Sequence, residues 1–217
     1  MPVRFVKLQV LALFLAVVVV AALGADVVLK GRAETRLTAE VIARSPETDG
    51  VQARIRSFPF VGLLLTSGTV SAVDITAQHA NPGGVALTDL RVHLEDVELD
   101  RDAAMDGRAV VRSIKRGRVQ ADLGQDQINT RLPKQFRIDL QPGTAVIEGP
   151  GNTEGTLTLN PEGMIQLRIG TRTVFELALP DTGLLPCRPE GTFITGAIRL
   201  TCDFTEIPPL LADLAGG

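Results

Sequence analysis

From Val51 to Phe204 one signal dominates the chain: apolar and polar residues alternate with a period of two. Val51, Ala53 and Ile55 alternate with Gln52, Arg54 and Arg56. Val73, Ile75 and Ala77 alternate with Asp74, Thr76 and Gln78, and Leu90, Val92 and Leu94 with Arg91, His93 and Glu95. That period puts one set of side chains in a core and the other in water, so these stretches read as half-buried strands. The pattern resumes at Val119–Ala121–Leu123, closing a strand drawn from Arg108, and at Phe136–Ile138–Leu140. It recurs at Leu157–Leu159, Ile165–Leu167–Ile169 and Phe175–Leu177–Leu179, and in a last strand with Ile194, Ile198, Leu200, Cys202 and Phe204 on one face. Asn81-Pro82-Gly83-Gly84, Gln141-Pro142-Gly143 and Asn160-Pro161-Glu162-Gly163 separate them as turns suited to hairpins. Twice the phase slips: Leu87 to Leu90 and Leu94 to Val97 are three apart. A slip inside a long strand requires a bulge, and bulges bend and twist a sheet.

Helical signals are fewer. Val27, Ala33, Leu37 and Val41 recur every third or fourth residue, or a multiple of that, between Asp26 and Arg44, with Lys30, Glu34, Arg36 and Glu40 on other faces. Ser45-Pro46 ends this helix, because Pro46 pushes Ser45 out of the helical region. Gln125 to Leu132 reads as a short helix with Ile128 and Leu132 on one side, and Pro208-Pro209 opens a tail helix through Leu214. The fold class is α+β: a long N-terminal helix and a curved, twisted antiparallel sheet.

Ahead of the helix, Arg4 and Lys7 precede an apolar run from Val10 to Ala25. A positive start followed by such a run is an export signal or a membrane anchor over residues 1–25. Counted from Leu8 to Leu29, it approaches the length of a spanning helix. Either form places residues 26–217, a single domain, outside the cytoplasm, in the envelope or periplasm. Cys187 and Cys202, an even pair in an exported chain, read as a disulfide. Closing their loop contributes roughly 3 kcal/mol in the chain-entropy model.

One stretch breaks the alternation. Phe58-Pro59-Phe60-Val61-Gly62-Leu63-Leu64-Leu65 sets large apolar side chains where a soluble protein places a polar turn, in a chain with no Trp, no Tyr and only eight Phe. Two readings stand: a loop folded under the core, or the wall or lid of an apolar ligand site. A second departure is basic. Arg112, Lys115, Arg116 and Arg118 have no acid beside them in sequence, and form either a solvated face or a contact for an anionic headgroup.

Several classes are excluded or disfavoured. A formal net charge of -3 and few aromatics argue against nucleic acid as a partner. There is no Gly-x-Ser-x-Gly, no phosphate-cradling loop and no His-Glu-x-x-His, so no catalytic residue is assigned and no cofactor is implied. His79 and His93 lie far from the cysteines, and no Cys-x-x-Cys exists to hold a metal.

The order of these pieces resembles the LmeA-type phospholipid-binding proteins of actinobacterial envelopes. The resemblance is carried by the N-terminal apolar segment, the helix with Ala33-Glu34 and Leu37, and Phe58-Pro59-Phe60 after a strand. The strand Val85 to Leu99 and the tail from Leu185-Pro186-Cys187 to Cys202, with Ile207-Pro208-Pro209, match as well. It implies a tubular lipid-binding fold, in which a highly curved sheet wraps the long helix and leaves an apolar groove for acyl chains. Phe58, Phe60, Leu63, Leu64 and Leu65, with Leu37 and Val41 of the helix, would then line the groove. The expected partners are a phospholipid or anionic envelope lipid, the membrane, and an envelope biosynthetic enzyme of lipoglycan (mannan) assembly. No headgroup-binding residue of the family can be matched. A membrane-anchored scaffold without a lipid ligand is the competing reading.

Overall fold

A computed structural model describes residues 3–81, 84–100, 102–103, 110–149, 155–160, 164–178, 187 and 189–207, the side chains before Leu23 and that of Arg44 excepted. Helix α1 (Val3–Arg44) is followed by strands β1 (Thr48–Asp49) and β2 (Gln52–Ile55), a short helix α2 (Phe60–Ser67), and the two longest strands, β3 (Thr69–Ala80) and β4 (Leu87–Leu99). Then come β5 (Val111–Ser113), β6 (Arg116–Gly124) and helix α3 (Gln125–Arg131). The chain continues through β7 (Arg137–Gln141), β8 (Thr144–Glu148), β9 (Gly155–Leu159), β10 (Met164–Ile169), β11 (Arg172–Ala178), β12 (Glu190–Ile194) and β13 (Ala197–Phe204).

Eight strands make the main antiparallel sheet, in the order β1-β3-β4-β6-β13-β12, with β2 beside β1 on β3 and β5 on β4. Smaller sheets, β11-β10-β9 and the β7-β8 hairpin, complete the body. The core runs along one face of the main sheet. Val70 and Val97, Val73 and Leu94, Ile75 and Val92, Ala77 and Leu90, and Ala80 and Leu87 stand opposite each other there as cross-strand pairs. On β6 and β13, Val119, Ala121 and Leu123 face Cys202, Leu200 and Ile198. Ile138, Leu140, Leu157, Ile165 and Leu167 bring the smaller sheets into the same core.

The two phase slips of β4 are where its geometry breaks. Asp89 and Asp96, the residues inside each three-residue step, have φ of 50° and 47°, a region that Asp tolerates better than most residues. Pairing of β4 with β6 jumps between Thr88 and Arg91. Strand β3 carries matching slips in its buried set, Val70 to Val73 and Ala77 to Ala80, so the two long strands turn together. Gly117 accommodates another close approach: it stands opposite Phe204, and a Cβ there would lie 2.2 Å from the ring.

Several expectations are corrected. The strand expected from Arg108 to Leu123 is two, β5 and β6, broken by the inward turn of Ile114. The last strand is a hairpin, with Ile194 on β12 and Ile198 to Phe204 on β13. The sheet does not enclose α1: from Leu23 to Ala43 only Asp26 is buried, and Val27, assigned to the packing face, is 68% exposed. Among the described residues no helix is long and apolar enough to cross a membrane. Leu179, Leu184 to Pro186 and the tail helix lie outside the described residues. Cys187 and Cys202 are joined in a disulfide, as expected.

Candidate functional site

Where α1 meets the body, polar side chains do what a neighbouring strand would do. Strand β2 is at the sheet's edge, and its outward N–H groups need acceptors. Thr38 Oγ1 accepts from the amide of Ala53 at 3.1 Å, and Glu34 Oε1 from that of Ile55 at 2.8 Å. Two turns nearer the N-terminus, the buried carboxylate of Asp26 accepts from the amides of Phe60 at 3.1 Å and Val61 at 2.6 Å. These are the first free N–H groups of α2, whose own preceding residue, Pro59, offers no side-chain cap. An anion there also suits the positive end of the helix. Glu34, expected on a solvated face, is thus a structural acceptor.

Between these polar anchors lie the apolar residues of the seam. Ala33, Leu37 and Val41 are half-buried against the core, as are Val61 and Leu64 of α2. Helix α2 is itself held firmly at both ends. Gly68 closes it at φ 71°, donating to the carbonyls of Leu63 and Leu64, and its own carbonyl accepts from Leu99. The amide of Ser71 donates to Ser57 Oγ at 2.6 Å, which fixes the chain just before the helix.

The apolar stretch expected as a buried loop or as the wall or lid of a site is helical from Phe60 onward, and its residues part company. Phe60 is core, at 6% exposure, which fits the reading of a segment folded under the sheet. Leu63 and Leu64 are half-buried, whereas Leu65 is 49% exposed and Phe58 is 71% exposed. Leu37, Val41 and Leu64 are each half-buried against the core, whereas Phe58 and Leu65 are exposed.

The basic group is placed among acids that sequence proximity hides. Arg112 pairs with Asp100 at 2.7 Å, Lys115 with Asp96 at 3.0 Å, and Arg118 grips both oxygens of Asp203 at 2.6 and 3.0 Å. Arg112 and Arg118 are stabilised as cations first by these hydrogen bonds. The Asp100 carboxyl is held below its ordinary range by the amide of Ala103 and then by Arg112, and that of Asp203 by Arg118. Arg116 is exposed and stands opposite Glu95. Three of the four cations are thus already neutralised, which weakens them as headgroup ligands.

On the outer face of the sheet, Arg54, Asp74, His93, Arg118 and Asp203 follow one another across five strands. His93 Nδ1 lies 2.6 Å from Asp74 and its Nε2 3.5 Å from Glu95, while Asp74 also pairs with Arg56. The histidine belongs to this surface network. His79 is exposed. No cluster of three metal-ligating side chains occurs among the described residues.

A family model described as LmeA-like phospholipid-binding matches residues 24–201, from just before Asp26 into β13. The seam lies wholly within that span. The match is to a binding family and not to an enzyme family. No curated protein and no solved structure matches the chain.

Proposed function

The chain belongs to the LmeA-like phospholipid-binding family, and from that premise we propose that it holds a phospholipid by its acyl chains at the seam of α1, α2 and the sheet, without catalysis. The setting is the cell envelope outside the cytoplasm, where such a carrier would support envelope lipid or lipoglycan (mannan) assembly. The observation that carries the reading is the seam's construction. Leu37 and Val41 of α1 and Leu64 of α2 are half-buried against the core, and α1 is fastened to β2 and α2 by four hydrogen bonds through Asp26, Glu34 and Thr38. The three bonds to carboxylates contribute about 1.5 to 3 kcal/mol each and the Thr38 bond about 1 kcal/mol. Burying eight methylenes of an acyl chain releases about 6 kcal/mol. That gain offsets the loss of about two or three of these bonds, so an entering acyl chain would displace part of α1 and leave the rest attached.

The test is lipid content. Leu37→Asp combined with Leu64→Asp in the full chain is expected to abolish phospholipid recovered by organic extraction, while the circular dichroism of the sheet is retained. A folded double variant carrying as much lipid as the parent means the seam is not the site. The burial of Phe60 favours the competing scaffold reading at that residue; a biosynthetic enzyme retained on purification, with no extractable lipid, would decide for it.

A further inference from the structure

Beyond the seam, α1 overshoots the body. Its core-facing stripe runs Val41, Leu37, Ala33, Lys30 and on to Leu23 by steps of three, four and seven residues. Past Lys30, as far as Leu23, its side chains are exposed but for Asp26, and among the described residues no strand covers them. Leu23, Val27, Val28 and Leu29 are exposed, and the Asp26 contact brings them beside the start of α2, where Phe58 projects and Leu65 lies further along the helix. Six of the eight exposed large apolar residues described belong to residues 23–29 of α1 or to the segment 58–65 that Asp26 joins to it; Ile42 and Val146 are the others. A soluble surface seldom concentrates apolar side chains in this way.

The corner's charge points to its partner. Residues 23–33 and 56–67 contain one acid, Asp26, and it is buried under α2. Lys30 and Arg32 border the apolar residues, with exposed Arg54 on β2 and, two residues on, Arg56, which is itself paired with Asp74. Asp100, near the far end of α2, is paired with Arg112. An apolar tip in a basic collar matches the interface of an anionic phospholipid bilayer: rings and aliphatic chains enter the acyl boundary, and cations meet the headgroups. The backbone of α1 also continues from this corner through the apolar sequence Val10 to Ala22.

We infer that the corner formed by Leu23 to Leu29, Phe58 and Leu65 seats in the interfacial layer of a phospholipid bilayer, so that the seam opens onto the membrane from which its lipid comes. The proposal rests on the lipid-carrier reading for its purpose, though the contact itself is tested apart from it. The chain has no Trp, so Phe58→Trp in the full protein is a unique reporter, and Val146→Trp, on β8 and 44% exposed, is its control. With phosphatidylglycerol–phosphatidylcholine vesicles, Phe58→Trp is expected to shift to the blue and to be quenched by brominated acyl chains, while Val146→Trp is unmoved. Equal behaviour of the two reporters, or a Phe58→Trp signal unaffected by bilayer quenchers, overturns the proposal. So does a shift produced equally by monomeric short-chain phosphatidylcholine, which would make Phe58 part of the ligand pocket. Vesicle contact in a protein with no extractable lipid would leave this inference standing and remove the carrier reading.

Discussion

Asp26→Ala probes the joint on which the account turns. The carboxylate is buried and accepts from two amides that have no other acceptor within α2. Removing a helix cap costs about 0.5 to 2 kcal/mol. Hydrogen bonds to a charged group contribute about 1.5 to 3 kcal/mol each, and leaving a buried donor unsatisfied costs about as much. The two bonds share one carboxylate and do not add fully, so the expected loss is about 3 kcal/mol for Asp26→Ala. Asp26→Asn keeps one acceptor oxygen but sets an NH2 group against the other amide, and should lose about 2 kcal/mol. The assay is urea unfolding followed by far-ultraviolet circular dichroism, since no Trp is present to follow. With an m-value near 2 kcal/mol/M, the alanine variant's midpoint should fall by about 1.5 M. A midpoint within error of the parent, with unchanged protection of the Phe60 and Val61 amides from hydrogen exchange, would refute the claim that Asp26 ties α1 to α2.

Three further outcomes follow from the geometry. Gly117→Val places side-chain atoms where the Phe204 ring sits and should cost about 1 to 3 kcal/mol in the same unfolding assay. At the first bulge, φ is 50°, so Asp89→Val should lose about 1 to 2 kcal/mol while Asp89→Gly is neutral or slightly stabilising. Acid is the third: the Asp100 and Asp203 carboxyls are held low in the folded chain, so their contribution is full above the unfolded value of about 3.9 and is lost as pH falls through the folded values. Asp100→Asn with Asp203→Asn should therefore be less stable than the parent near neutral pH, and the difference should shrink as the pH falls below about 3.9 and through the folded values.

Much of the sheet was legible because a half-buried strand must alternate, and the buried sets Val51, Ala53, Ile55 and Ile198, Leu200, Cys202 do so. Even the bends could be read, since Leu87 to Leu90 and Leu94 to Val97 cannot keep a period of two. What hid was every role that depends on a partner distant in sequence. Glu34 looks like a solvated charge until β2 brings the Ile55 amide to it, 21 residues away. Arg118 looks unpaired until β13 sets Asp203 beside it, 85 residues away. Phe58 and Phe60 are equivalent in composition, yet the turn into α2 sends one to water and one to the core. One signal was available: Asp26, Glu34 and Thr38 lie within one broad face of α1, interleaved with Ala33, Leu37 and Val41, which is how a helix would look if it packed on a strand edge rather than on a sheet face.

The central claim is that this chain carries a phospholipid, and native mass spectrometry of the intact protein, with organic extraction of the same sample, tests it most directly. Purified from a host whose membranes supply diacyl phospholipids, the protein should show a mass increment of a single diacyl phospholipid, recovered in the extract. An apo mass that takes up no added phospholipid would contradict the account.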